Sequence, residues 1–509
     1  MRAWWLFVVA GCAETDDSAP CPPPPSPAAG PPFVDATVEL GIDGSHHFAT
    51  DFCELTDTIG GPGVCVFDRD GDGDLDIYFV DRAPHQNLLY DNVGGRFEEI
   101  GAMVGAGVTS DSMGCLAFDR DGDGDLDLYI TNVGPDQLLD NAGGVFTDVS
   151  EETGVAAVTD GFSISATAGD IDGDRDLDLF VARSVKLATC PDECFLFPIA
   201  CEADTNLLLL NEGGRFVEES AARGIVAAAP TLATVMVDID ADGDLDIYEG
   251  NDMGFAFADR MYLNDGGGHF VDGAVALGLD GVGTDTMGVD VGDYDGDGRS
   301  DMVITDFEDR PVRLYHCFDP ALPCSNDVAP DSTAYVKWGV GLVDFDHDRD
   351  LDLFVASGHV AYLDGDPNYL FFNQGGGRFV VHAPLAEEAL AARHVSRGTA
   401  FGDLDGDGDI DVVVATAGGR HQVLRNESAA GYSLTVALGS QAVGAMVTVQ
   451  TEAGALTEHA LIGGSYAGSS DPRLHFGMGE ACRADVTVRY LSGEERFFPA
   501  TPAGLLVTD

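Results

Sequence analysis

Positive charge is what this sequence has least of: 25 Lys and Arg stand against 88 Asp and Glu, a formal net charge of −63 over 509 residues. That deficit excludes a nucleic-acid partner and docking on an anionic membrane through protein charge, since both need a basic face. The machinery of common hydrolases is missing too. The 12 histidines are scattered without the H-E-x-x-H spacing of a zinc protease, and His46-His47 reads as a loop pair rather than a ligand pair. "GGSYAGS" around Ser465 has Ala467 where the G-x-S-x-G nucleophile elbow needs glycine. "GVGTDTMG", 281–288, fails the G-x-G-x-x-G spacing of a phosphate loop. Disorder is excluded as well, because 45% hydrophobic residues can fill a core and the acids stand in clusters between apolar segments.

The apolar stretch Ala3 to Ala10 is too short to cross a bilayer and reads as an export signal. Val9-Ala10-Gly11-Cys12 resembles the bacterial lipobox, which implies a signal peptide over 1–11, lipidation at Cys12 and a proline-rich tether over 12–32. The expected location is the bacterial cell envelope or surface, with the N-terminal lipid as the sole membrane anchor. Of the 11 cysteines, those other than Cys12 form an even set, which in an exported chain favours disulfides. Cys317 and Cys324 can close a small loop, and two of Cys190, Cys194 and Cys201 can staple an insertion. A zinc site at the latter three would have no evident fourth ligand.

What the chain has in abundance is aspartate at every second position. "DRDGDGDLD" at Asp68 returns as "DRDGDGDLD" at Asp119, "DIDGDRDLD" at Asp170, "DIDADGDLD" at Asp238, "DYDGDGRSD" at Asp293, "DFDHDRDLD" at Asp344 and "DLDGDGDID" at Asp403. Successive starts lie 51 to 68 residues apart, a spacing that belongs to blade repeats. Each unit has a strand of small residues before the loop, such as "GVCVF", and an alternating apolar strand after it, such as "LDIYFV". A strand like "NLLYDN", a glycine turn and a short strand like "FEEI" complete it, giving four strands per unit. The seventh unit lacks its last strand, and "FVDATVELGI" from Phe33 supplies one at the other end of the chain. The expected fold is all-β: a seven-bladed β-propeller over 33–428, closed by its two ends, and a small β-rich domain over 429–509.

The seven loops resemble the integrin-alpha-like calcium loops of FG-GAP/VCBS repeats, and "WGVGLVDFD" with "SRGTAFGDLDGDGDIDVVV" resembles the cartilage acidic protein family. The tail, "GAMVTVQTEAGALTEHALIGGSYAGSSDPRLHFGMG" through "VTVRYLSG", is similar to the ASPIC/UnbV domain, departing at Tyr490-Leu491 where that family has Trp-Pro. The resemblance implies a calcium-bearing extracellular propeller and no inherited enzymatic activity.

The loop chemistry points to the same ion. Two carboxylates ~5 Å apart repel by roughly 3 kcal/mol at an effective dielectric of ~20, so such a turn needs a counter-charge. Calcium takes six to eight hard oxygens, and Asp at positions 1, 3 and 5, a carbonyl at 7 and Asp at 9 supply them. In the first loop these are Asp68, Asp70, Asp72, Asp74 and Asp76; in the second Asp119, Asp121, Asp123, Asp125 and Asp127. The third has Asp170, Asp172, Asp174, Asp176 and Asp178, and the fourth Asp238, Asp240, Asp242, Asp244 and Asp246. The fifth has Asp293, Asp295, Asp297, Arg299 (through its carbonyl) and Asp301, the sixth Asp344, Asp346, Asp348, Asp350 and Asp352, and the seventh Asp403, Asp405, Asp407, Asp409 and Asp411. An EF-hand is excluded because position 12 is not a consistent glutamate (it is Phe79 in the first loop) and a strand follows. Position 6 should need a positive φ, which glycine supplies except at Arg175 and Arg349, and repeat six, with His347 beside Arg349, is expected to bind most weakly.

These features predict a non-catalytic surface lipoprotein carrying up to seven calcium ions, its propeller an adhesion or interaction module for a protein or glycan. The rival is an exported, lyase-like polysaccharide enzyme. It would need a base and a charge-neutralising group in one cleft, for which His359, His394 and Arg397 are the candidates; with Trp338 they flank inner strands and either line a channel mouth or, the favoured role, pack in the core or rim.

Overall fold

Seven antiparallel four-stranded sheets carry the aspartate loops, the first six ordered as their strands run in the chain. Sheet one is Val64–Phe67, Asp76–Phe79, Leu88–Asn92 and Phe97–Glu99. Sheets two to six repeat it, opening with Ser112–Phe118, Ser163–Gly169, Thr231–Val237, Val289–Gly292 and Lys337–Val343. The seventh joins Ser396–Gly402, Asp411–Thr416 and Gln422–Asn426 to the N-terminal strand Phe33–Asp35, in the register Phe33↔Asn426, Val34↔Arg425, Asp35↔Leu424. The computed structural model describes residues 21, 23–26, 32–47, 61–157, 161–190, 201–317, 322–359, 365–384, 386, 388–428 and 430–508. The export signal, Cys12 and Cys194 lie outside these.

First strands are small and almost wholly buried because they pack edge to edge: each touches the first strand of the next sheet, and that of sheet seven touches that of sheet one. Between sheets, apolar faces interlock, as in the cluster of Leu116, Phe118, Leu179, Val181 and Phe216. One element departs from the strand-only expectation. After the outer strand the chain makes a single helical turn, as at Thr37–Leu40 and Gly101–Val104, ended by a left-handed glycine. Gly105 shows why: φ is +86°, and a Cβ there would sit 2.3 Å from the Phe146 carbonyl oxygen of the next sheet.

The C-terminal part is β-rich as expected, with one three-stranded sheet (Leu474–Gly479, Tyr432–Ala437, Gly504–Val507) and one four-stranded sheet (Gly454–His459, Met446–Thr451, Arg483–Arg489, Glu495–Pro502). They close over Leu434, Val447, Val449, Phe476, Val486 and Val488. Between its strands it sends residues 460–473 among the first strands of the repeat sheets. Ser469 exchanges backbone hydrogen bonds with Val64 and Val66 of sheet one, Cys115 N–H of sheet two donates to Ala467 O, and Ala168 N–H of sheet three to Ile462 O. Ser465 exchanges backbone hydrogen bonds with Val289 of sheet five, and its hydroxyl accepts from Val340 N–H of sheet six and lies 2.8 Å from Thr399 Oγ1 of sheet seven. The segment that fails as a nucleophile elbow is thus a plug joining six sheets. Its small residues are required, since a Cβ on Gly468 would lie 2.5 Å from the Val64 oxygen and one on Gly463 2.7 Å from the Ala166 oxygen. Tyr466 is fully buried at its tip, edge-on to Trp338 with ring centroids 5.0 Å apart.

Four disulfides are formed among the described residues. Cys317–Cys324 is the expected loop closure, and Cys190–Cys201 is one of the pairings left open for the insertion. Cys65–Cys115 links the first strands of sheets one and two, and Cys21–Cys482 pins the proline-rich segment to the C-terminal domain.

Candidate metal centre

Each aspartate loop is wound by its own side chains. In the first, Asp68 accepts from the N–H groups of Gly71 (2.9 Å) and Gly73 (3.0 Å), and Asp72 from that of Asp74 (3.0 Å). The equivalents Asp119, Asp170, Asp293 and Asp403 do the same to their fourth positions at 2.8 to 2.9 Å. Position 6 has the expected positive φ throughout, from Gly73 (+99°) to Arg175 (+80°) and Arg349 (+82°). Position 4 needs it too, which places Ala241 (+60°) and His347 (+58°) in a conformation that favours glycine.

The oxygens that converge are those of positions 1, 3 and 9. Ligand atoms of Asp68, Asp70 and Asp76 lie within 4.8 Å of one another, as do those of Asp119, Asp121 and Asp127, and of Asp170, Asp172 and Asp178. Position 7 turns its side chain away: Asp125 accepts from Gly143 N–H and Asp176 from Gly213 N–H, leaving the carbonyl as the donor those residues can offer. In the fifth repeat the converging set is Asp295, Asp301 and His316, with His316 Nδ1 3.1 Å from Asp295 Oδ2. That imidazole comes from the third strand, outside the motif, so motif reading missed it.

Position 9 also fastens the loop to its sheet. Asp76 accepts from Arg69 N–H, closing the loop, and from Asn92 N–H, tying loop to third strand. Asn92 then donates its side-chain amide to Leu404 O in the loop of sheet seven (2.8 Å). Asn141, Asn211, Asn264, Asn373 and Asn426 reach the second loop position of the preceding sheet in the same way, at Arg69, Arg120, Ile171, Tyr294 and Phe345. Cys317 stands at this place in sheet five and is committed to its disulfide. The terminal asparagine of "NLLYDN", "NLLLLN" and "NYLFFN" was the signal in the sequence.

Burial makes these carboxylates costly to ionise. Burial pushes Asp76 and Asp127 up to about 7, and Asp178, Asp246 and Asp301 up to about 8, against the stabilising backbone N–H donors and, at Asp301, with added repulsion from Asp295. Burial likewise holds Asp344, Asp352 and Asp411 well above the ordinary carboxylate range. Asp172 Oδ1, Asp240 Oδ1, Asp301 Oδ2 and Asp344 Oδ1 are buried without a hydrogen-bond donor. A cluster of hard, anionic, donor-less oxygens fits calcium.

The enzyme candidates meet in one neighbourhood between sheets six and seven: His359 N–H donates to Asp366 Oδ2, Asp366 pairs through its backbone with His394, and Arg397 donates to the carbonyl of Gly358 beside His359. Arg397 and Trp338 are core residues, each 1% exposed, with the guanidinium 4.2 Å from the indole centroid and donating to the carbonyls of Gly358 and Ser396. They do not line an accessible mouth. His359 faces Glu308 at 3.3 Å, and His394 is tied through its backbone to Asp366. A buried guanidinium cannot meet a substrate carboxylate, so no base–cation pair of these residues faces a cleft.

Comparison with known proteins agrees with this architecture. The family model described as FG-GAP-like repeat matches 68–130, 119–181, 238–304 and 344–414, and that described as ASPIC and UnbV matches 435–508. Cartilage acidic protein 1 of Mus musculus is 28% identical over 295 residues, covering 54% of this chain and 42% of that protein; the Homo sapiens protein is 27% identical, covering 53% and 41%. The chain thus matches about two fifths of the length of these relatives. An Agrocybe aegerita lectin that recognises non-reducing terminal N-acetylglucosamine shares 15% identity at a TM-score of 0.41, covering 72% of this chain and 86% of the lectin. The rhamnogalacturonan lyase PL11 of Bacillus licheniformis shares 12% at 0.39, covering 72% and 71%.

Proposed function

The chain belongs to the FG-GAP/VCBS repeat proteins of the cartilage acidic protein family with a C-terminal ASPIC/UnbV domain, and from that premise we propose that it is a non-catalytic, calcium-binding interaction module. The seven sheets are the blades of a closed β-propeller, a reading supported by the continuous circuit of first-strand contacts from sheet one to sheet seven and back. The observation that carries the calcium reading is the convergence of aspartate oxygens at positions 1, 3 and 9, together with four loop oxygens, Asp172 Oδ1, Asp240 Oδ1, Asp301 Oδ2 and Asp344 Oδ1, that are buried with no donor. Asp68, Asp70, Asp76 and their equivalents would hold the ion, with position 5 and the carbonyl of position 7 completing the set. Bound calcium supplies the positive charge that lets these carboxylates stay ionised where the fold has buried them. Position 9 ties its loop to the asparagine of the third strand, and that asparagine reaches the loop of the preceding sheet, so that ligand occupancy and blade-to-blade fastening are one network.

A partner would meet the module where loops and C-terminal domain share a surface. A cleft of about 560 Å³ lies between the third and fourth loops and that domain, lined by Asp170, Arg175, Asp244, Gln441, Tyr490 and Arg496. Arg496 covers one face of the Tyr490 ring at 5.1 Å. An aromatic ring, amides, two guanidiniums and cation-bearing loops suit a glycan or a polar protein segment. Disulfides support export, and the lipobox-like "VAGC" supports anchoring through Cys12.

Titrating calcium into metal-stripped protein tests this reading. Melting temperature and protease resistance should rise with concentration by mass action, about 2.7 kcal/mol at a hundredfold excess over Kd. A stripped protein as stable as the loaded one would overturn it. Binding to a glycan array should require calcium and weaken in Tyr490→Ala.

A further inference from the structure

We propose that His47, Asp81 and His85 form a second metal site, built for a zinc-class transition ion rather than calcium, at the far end of sheet one from its aspartate loop. One ligand atom from each of the three lies within 4.8 Å of the others. Asp81 follows the strand that begins at Asp76, so five extended residues of ~3.3 Å each separate it from the oxygen cage of the first loop. The chemistry differs accordingly. Two imidazoles and one carboxylate make a nitrogen-rich donor set, which suits zinc, nickel or copper and offers calcium too few oxygens.

The three side chains are positioned by structure that does not depend on a metal. Asp81 is buried, and its Oδ1 accepts from the N–H groups of His47 (3.0 Å) and Arg82 (2.8 Å), which fixes the carboxylate plane. Its Oδ2 lies 2.6 Å from His47 Nδ1. The segment carrying His47 is held to sheet seven: Ser45 bridges Arg420, and His46 N–H donates to Gly419 O (3.0 Å). The His46 ring packs behind, with Nδ1 accepting from Gly418 N–H and Nε2 3.9 Å from Asp81 Oδ1, and the cluster of ligand atoms is made with the other two histidines. His85 sits on a turn closed by its N–H to Arg82 O (2.8 Å), its ring stacked on His47 with centroids 3.5 Å apart and planes within 6°. The neighbouring Arg82 charge is paired with Asp111, 3.5 Å away. His47 and His85 are exposed and Asp81 buried, the arrangement of a site reached from solvent and backed by the fold. The site also spans the junction where the chain's N-terminal segment, sheet one and sheet seven meet, so an ion there would clip the two ends of the repeat array together.

The test is isothermal titration of the full chain with zinc chloride under saturating calcium, so that the aspartate loops are occupied. Wild type should take up one equivalent of zinc. His85→Gln and His47→Gln should each weaken it at least tenfold, about the loss seen on removing even a residue that only orients a ligand. His269→Gln, an exposed histidine 3.9 Å from Asp265 on sheet four, should leave it unchanged. Cobalt in place of zinc should show nitrogen-ligand visible bands that vanish in both site variants. Unaltered zinc uptake in His85→Gln and His47→Gln, no uptake by wild type, or uptake abolished by calcium would each overturn the proposal. The calcium-loaded melting temperature shows that the variants are folded.

Discussion

Stripping divalent ions and then moving the pH should invert the protein's stability profile. In calcium-free protein, Asp76 and Asp127 titrate near 7, and Asp178 and Asp246 near 8, because burial disfavours their charged forms. A folded-state pKa raised above the unfolded value means that the protonated carboxyl stabilises the fold. That contribution is complete below the unfolded value near 4 and is lost as pH rises through 7 to 8. Between about pH 5 and about pH 8, one such carboxylate loses on the order of 3 kcal/mol. The loops interact, so their losses do not add, but one alone should lower the melting temperature by several degrees. With calcium the sign reverses, since acid protonates the ligands and expels the ion, and the loaded protein should melt higher near pH 8 than near pH 5. Scanning calorimetry of stripped and loaded protein at both pH values is the assay. A stripped protein equally or more stable near pH 8 would refute the claim that these buried carboxylates want a cation.

Three substitutions probe the rest of the network. Tyr466→Ala empties the tip of the plug beside Trp338 and should cost about 3 to 5 kcal/mol by chemical denaturation, with calcium stoichiometry unchanged. Asn92→Ala removes donors to Leu75 O and Leu404 O, and the stranded carbonyls should cost about 1 to 3 kcal/mol and speed proteolysis between sheets one and seven. Arg349→Gly should relieve the left-handed strain at the sixth loop and tighten its cation about five- to thirtyfold by native mass spectrometry, although Arg349 also gives up its hydrogen bond to Gly454 O. Unchanged occupancy of that loop would show that strain does not limit it.

Seven aspartate loops, the strand after each, the left-handed sixth position, the Phe33 strand completing the last sheet and the Cys317–Cys324 closure were all legible in the chain. Each rests on short-range rules: alternation of period two, turn chemistry at fixed offsets, and a repeat whose missing strand must come from somewhere. The helical turns were legible in principle from their closing glycines. The asparagines that donate to the preceding loop, the segment around Ser465 threaded among the first strands, and Arg397 sealed against Trp338 were not. Nor was the meeting of His47 with His85, from segments that belong to different sheets. Which side chains face one another between sheets depends on how the sheets twist and circle back, a property of the whole assembly that no local pattern encodes. Residue types and spacings therefore sufficed for the aspartate loops, whose carboxylates come from one short stretch of chain, while the plug and the second cluster needed the chain's return in space to bring distant residues into contact.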